Sequence, residues 1–218
     1  MNSLCYMIYK NNDLNLTDFK YNLYFTKNNM NVPFKHNLQG VTDFPFSFAM
    51  RDASRRGGVN NLYSILAQDF LYKNPMTNCI FLDNHDMDRF YSVLEESMSK
   101  YKIAVGLLLT ERGIPQMYYG TEILMKNFKN PSDAEVRRDF PGGWASDAVN
   151  KFNAAGRTAQ ENEAFDYVKT VARFRQTASA IKTGKLMQYV PQDGVYVYFR
   201  YDDKQTVMVI ANTAKEEK

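Results

Sequence analysis

The stretch Phe81-Leu82-Asp83-Asn84-His85-Asp86 sets a carboxylate beside an imidazole, and Arg89 follows three residues later. Carboxylates near an arginine suit hydrogen bonding to vicinal hydroxyls, or stabilisation of a cation that develops during a reaction. The same residues also read as a strand-end turn, in which Asp and Asn side chains satisfy nearby backbone groups. A third reading is metal ligation by His85, Asp86 and Asp88, with His36 as an upstream ligand. Two histidines and two cysteines, Cys5 and Cys79, leave little material for such a centre and none for a disulfide framework. No cofactor is evident from the residues alone.

The elements around this cluster alternate. Gln39 to Phe44 form a short apolar run ending near Asp43. Pro45 opens a helix that the Arg55-Arg56-Gly57-Gly58 stretch breaks. A second helix is expected from Val59 to about Tyr72, with Leu62, Leu66 and Phe70 on one buried stripe. Cys79-Ile80-Phe81-Leu82 is apolar without alternation, as suits a strand covered on both faces. A helix over 91–110 follows, closed at Gly113, and then a strand over Ile114 to Tyr119. A segment of about 40 residues carries Pro131, Pro141, Gly142, Gly143 and Trp144, long enough to be functional or irregular. A helix from Glu161 to about Ile181 precedes two β-rich runs, Val195–Tyr201 and Thr206–Ile210, joined by a turn at Asp202–Gln205.

Repeated βα units predict a parallel sheet, and in such sheets ligands meet the carboxyl ends of the strands. The polar residues there are Asp43, the 83–86 cluster and the 118–122 segment.

Composition narrows the classes further. With 27 Lys and Arg against 24 Asp and Glu, the net charge of +3 is too small and too evenly spread for an electrostatic nucleic-acid binder. No apolar run approaches the roughly 20 residues of a membrane span. Fifteen tyrosines, fifteen phenylalanines and one tryptophan supply flat surfaces for a core or for stacking on rings. No basic, then apolar, leader opens the chain. Residues 1–38 read as irregular, with one short helix around Asp18 to Phe25. A strand so close to the last residue suggests a piece of something larger.

Four segments carry a family resemblance. Phe81 to Asp86 resembles the F-x-x-x-H-D motif after strand seven of the α-amylase family, glycoside hydrolase family 13. Gly113-Ile114-Pro115-Gln116-Met117-Tyr118-Tyr119-Gly120-Thr121-Glu122 resembles its strand-eight motif. Gly40-Val41-Thr42-Asp43-Phe44-Pro45 is similar to its strand-six segment. Arg138-Asp139-Phe140-Pro141-Gly142-Gly143-Trp144 resembles a loop of the neopullulanase and cyclomaltodextrinase branch found in Bacteroides-type starch-utilisation enzymes.

The resemblance implies an α/β fold: the C-terminal part, strands 6–8, of a TIM (β/α)8 barrel, followed by the start of an all-β C-terminal domain. The expected divisions are an irregular segment 1–38, a partial barrel 39–182 and an incomplete β-domain 183–218. A whole barrel takes about 250 residues.

It also implies retaining hydrolysis of α-1,4-glucosidic bonds in α-glucans, maltooligosaccharides or cyclodextrins. Asp86 matches the family's transition-state-stabilising carboxylate, and His85 matches a sugar-binding histidine. Asn84, Arg89, Tyr118, Glu122 and Trp144 join the expected substrate-binding set, Trp144 by stacking. Arg89 has an ion pair with a neighbouring aspartate as its plainer role. Calcium is a cofactor of some members. The related enzymes are periplasmic.

The family's nucleophile motif, G-x-R-x-D, occurs nowhere in the 218 residues, and residues 1–38 contain no glutamate that could serve as general acid. Retaining chemistry needs two carboxylates about 5 Å apart, one as nucleophile and one as acid. Three readings follow: an α-glucan hydrolase portion inactive by itself, a half-barrel that binds glucan or pairs with the missing barrel half, and a severed reading frame without function.

Overall fold

A computed structural model describes residues 40–214. The helix expected near Asp18 and the upstream His36 lie outside the described residues.

Strand β1 (Cys79–Phe81) pairs in parallel with β2 (Ile114–Gln116), with Ile80 opposite Pro115. Thr42 forms a parallel bridge to Cys79 on the other side of β1. Three parallel segments therefore lie in chain order, and the intervening helices cover them, as the alternating pattern predicts.

Helix α1 (Phe44–Arg56) starts where the Asp43 carboxylate accepts a hydrogen bond from the Phe46 backbone N–H, with Pro45 in the first turn. Gly57 ends it. Helix α2 stops at Leu66 (Val59–Leu66), short of the expected Tyr72, and Asp69–Leu71 winds as a 3-10 turn. The cause is Arg112. Its Nε and Nη2 donate to the Asp69 carboxylate at 2.9 and 2.5 Å, and the tighter turn that aims Asp69 inward leaves Phe70 70% exposed.

The helix expected over 91–110 is two: α3 (Phe90–Val93) and α4 (Met98–Thr110). Between them Glu95 and Glu96 take positive φ, and their carboxylates pair with Lys100 and Lys126. The Tyr91 hydroxyl donates to the Glu96 carbonyl, and Ser97 caps α4. Helix α4 ends in extended backbone at Glu111, so Gly113 is not its cap. Gly113 has φ +102°, and a Cβ there would stand 2.7 Å from the Asn78 carbonyl oxygen. Glycine is required because β2 enters close beside β1.

Helix α5 (Ala159–Thr177) opens with a capping box between Thr158 and Glu161. Extended backbone at Ala178 separates it from α6 (Ser179–Thr183), so the single helix expected to Ile181 is also divided, and Phe174 faces solvent. An antiparallel sheet follows: β3 (Lys185–Gln188), β4 (Val195–Tyr201) and β5 (Thr206–Asn212). Asp202 shapes the β4–β5 turn by accepting from the Lys204 and Gln205 N–H groups.

Alternation along β4 sends Tyr196, Tyr198 and Arg200 inward. The two tyrosines join Leu62, Tyr101 and Leu108 in one continuous core. The Tyr198 and Thr110 hydroxyls meet at 2.5 Å, fastening the sheet to α4. Among the described residues no helix is long and apolar enough to cross a membrane.

Candidate functional site

The β1–β2 register sends residues 83–89 and 117–122 out of the same, carboxyl-terminal edge. Asp43 does not join them, although its place after an apolar run pointed there. Its carboxylate accepts from Arg112 Nη1 at 2.7 Å and from Asn78 Nδ2 at 3.3 Å. Both partners stand just before a strand, so Asp43 braces the opposite end of the sheet. The Arg112 guanidinium also lies over the rings of Phe46 and Tyr72.

The cluster after β1 divides by burial. Asp83 is buried and accepts from the Phe90 N–H at 2.8 Å and the Thr121 hydroxyl at 3.3 Å. Burial pushes its carboxyl above the usual range, against the opposing pull of the Phe90 hydrogen bond and Arg89. It is a structural bracket. The Asn84 Oδ1 accepts from the Asp86 N–H at 2.9 Å and so shapes the turn that follows.

His85 and Asp86 are then presented to solvent, their side chains 62% and 50% exposed, with Nε2 and Oδ2 3.3 Å apart. Asp88 points elsewhere, accepting from the Lys129 N–H at 2.7 Å. Among the described residues no group of three or more His, Cys, Asp or Glu is placed to hold a metal ion.

Arg137 is the site residue that sequence reasoning missed. Its Nη2 donates to Asp86 Oδ1 at 2.8 Å and to Asp133 Oδ2 at 2.9 Å, and its Nε donates to the His85 carbonyl at 2.8 Å. One guanidinium holds both the backbone and the carboxylate of the His85-Asp86 turn. Hydrogen bonding from Lys129 keeps the Asp133 carboxyl below its usual range, so Asp133 is ionised at neutral pH. The i, i+4 spacing of Asp133 and Arg137 was the available signal. Its link to Asp86, 51 residues away, was not.

Tyr118 and Tyr119 leave β2 with ring centroids 4.6 Å apart, and the Tyr119 hydroxyl donates to the Arg138 carbonyl at 2.6 Å. Arg89 does not reach the surface, so its assignment to the sugar-binding set is corrected. It is 1% exposed and lies against both tyrosine rings, where Nη1 donates to the Tyr119 carbonyl. Its charge still attracts the buried Asp83 carboxylate, but its close contacts are these rings and the carbonyl.

Glu122 is half-buried in a shallow concavity of about 360 Å³, shared with Tyr118, Tyr119, Phe165 and Lys169. None of His85, Asp86 or Arg137 lines that concavity. Trp144 stands 78% exposed on the long loop, its backbone N–H bonded to Asp147. Phe140 and Phe152, on the same loop, pack with ring centroids 4.4 Å apart.

The alpha amylase catalytic-domain family matches residues 16–142, more than half of the chain. This chain is a member of the α-amylase family. The cyclo-malto-dextrinase C-terminal domain family matches residues 186–218, where β3, β4 and β5 lie. An α-amylase of Niallia circulans is 30% identical over 177 residues, covering 79% of this α-amylase-family chain and 30% of the relative. A cyclomaltodextrin glucanotransferase of Thermoanaerobacterium thermosulfurigenes is 29% identical over 177 residues, covering 79% and 22%.

Among solved structures, the α-amylase of Geobacillus thermoleovorans complexed with acarbose superposes with a TM-score of 0.65 at 27% identity. That match covers 81% of this chain and 37% of that one. An Anoxybacillus α-amylase gives 0.68 at 25% identity, covering 84% and 38%. The α-amylase-family chain thus spans less than a third of the length of these two curated relatives.

Proposed function

We propose that this chain supplies strands six, seven and eight of an α-amylase-type (β/α)8 barrel over residues 39–182, and the first part of its β-domain over 183–218. The substrate class is the α-1,4-glucans, including maltooligosaccharides and cyclodextrins, in the manner of the neopullulanase branch. The match of residues 186–218 to a cyclo-malto-dextrinase domain supports that branch. Asp86 stabilises the sugar ring in the −1 subsite as positive charge develops at the anomeric carbon, and His85 hydrogen-bonds the same sugar.

The observation that carries this reading is the exposed His85-Asp86 turn beyond the carboxyl end of β1, clamped by Arg137. A carboxylate fixed there complements an oxocarbenium ion.

By the same chemistry, the 218 residues alone do not cleave glycosides. No G-x-R-x-D nucleophile motif is present, and no glutamate precedes Glu95. The carboxylate that shares Arg137 with Asp86 is Asp133, which is ionised and cannot donate a proton.

The test has two stages. The chain is first incubated with maltoheptaose, β-cyclodextrin and pullulan; no new reducing ends are expected, and their release would overturn the inactive assignment. Strands one to five are then restored, joined or as a separate polypeptide, and Asp86→Asn is compared with the parent. Turnover should fall far more than binding weakens, and a near-normal kcat would remove the stabilising role from Asp86.

A second reading, a glucan-binding or partner-complemented half-barrel, draws on the side of β2 that pairs with no strand among the described residues. Ile114 there is 55% exposed at the strand's start. Activity regained with the separate polypeptide would favour it.

A further inference from the structure

We propose that Arg89 is a positioning residue for Asp86, acting through Tyr118, Tyr119 and the turn that carries Arg137. The functional meaning of this inference rests on the assignment of Asp86 above; its geometry does not.

Arg89 stands three residues beyond Asp86, where α3 begins, and is buried. Its guanidinium carbon lies 4.1 Å from the Tyr118 ring centroid and 4.6 Å from that of Tyr119, and Nη1 donates to the Tyr119 carbonyl at 2.6 Å. The flat cation therefore grips two consecutive residues as they leave β2. From those rings the contacts run outward. The Tyr119 hydroxyl donates to the Arg138 carbonyl at 2.6 Å, and the Tyr118 hydroxyl reaches the Val136 carbonyl at 3.5 Å.

These two carbonyls flank Arg137. The Arg137 side chain then returns to the His85 carbonyl and the Asp86 carboxylate. The circuit closes on the segment where it began.

Two physical points support a positioning role. Arg137 is exposed, and an exposed ion pair between long side chains is weak unless its backbone is fixed. The two tyrosine hydroxyls fix that backbone on either side of it. Arg89 also keeps Nη2 buried without a hydrogen-bond partner, a cost that an apolar side chain of similar volume would avoid. Only a guanidinium offers both a face to two rings and a fork to a carbonyl.

The test follows the Arg137 Nε–H in the full 218-residue chain by NMR hydrogen exchange, with no sugar present. Arg89→Met and Tyr119→Phe should each speed its exchange about tenfold, the loss expected for one well-formed hydrogen bond. Leu62→Ala, a core change far along the chain, should lower the melting temperature while leaving Arg137 protected. That comparison separates positioning from general loosening.

If Arg89→Met does not fold, Arg89→Lys decides, because it keeps the charge and loses the planar fork that grips the Tyr119 carbonyl and both rings. Exchange within about twofold of the parent in the folded variants would overturn the inference. The kcat of Asp86→Asn in the enzyme restored with strands one to five reports separately on the glucan assignment, so either idea can fail alone.

Discussion

Three acceptors meet one guanidinium at Arg137, and at the scale of single residues this sets the shape of the Asp86 turn. Arg137→Met removes all three hydrogen bonds while keeping much of the side chain's bulk. The expected outcome is a roughly tenfold weaker titration with maltoheptaose, with stability changed by less than about 1 kcal/mol because the contacts are exposed. Unchanged affinity would place Arg137 outside the glucan site, and a large fall in melting temperature would make it a structural residue instead. The place of Asp86 and His85 beyond a strand end was legible in the sequence because they adjoin a buried apolar run. Arg137 was not, because its partner is distant along the chain. The burial of Arg89 was not legible; only packing put it against two aromatic rings.

Helices and strands were read correctly where periodicity and local punctuation agreed, as in α1, β1 and β4. They were overextended where a side chain pulled the backbone toward a distant partner. Asp69 breaks α2 to reach Arg112, and Glu95 and Glu96 interrupt the next helix ahead of Ser97. Gly113 shows the same effect in reverse, since a residue that looked like a helix cap is a spacing element between strands. Gly113→Ala should therefore cost on the order of 3 kcal/mol, from positive φ together with the clash against Asn78. A urea midpoint shift measures it. A cost below about 1 kcal/mol, typical of a simple cap or surface change, would contradict the close approach of β1 and β2.

At the scale of the whole molecule, β4 meets the end of α4 in a buried junction. Glu111, at the end of α4, is fully buried and neither carboxylate oxygen has a hydrogen-bond partner, while Arg200 of β4 stands nearby with an unpartnered Nε. Burial raises the Glu111 pKa from its ordinary 4.5 to about 7, against the attraction of Arg200 and Arg112. The folded-state value is the higher one, so the contribution is fully present below pH 4.5. It is lost as pH rises toward 7, because only the unfolded chain ionises freely there. Stability should fall across that window by a few kcal/mol at most and then level off, apart from other groups. Glu111→Gln should flatten this part of the urea-midpoint profile. An unaltered profile would mean that Glu111 is hydrated in solution.

By itself the sequence determined the alternation of strand and helix, the family and the stretch that carries Asp86. The alternation depends on residues that are neighbours or one helical turn apart, and the family on four short motifs that resemble those of the α-amylase family. The tertiary structure decided which polar residues face which end of the sheet. It took Asp43 to the far end, Arg89 into the interior and Arg137 onto Asp86. Those outcomes turn on hydrogen bonds and ion pairs between residues some 30 to 70 positions apart. No local rule encodes such contacts, because the free energy of burying a charge depends on the partner that packing brings to it.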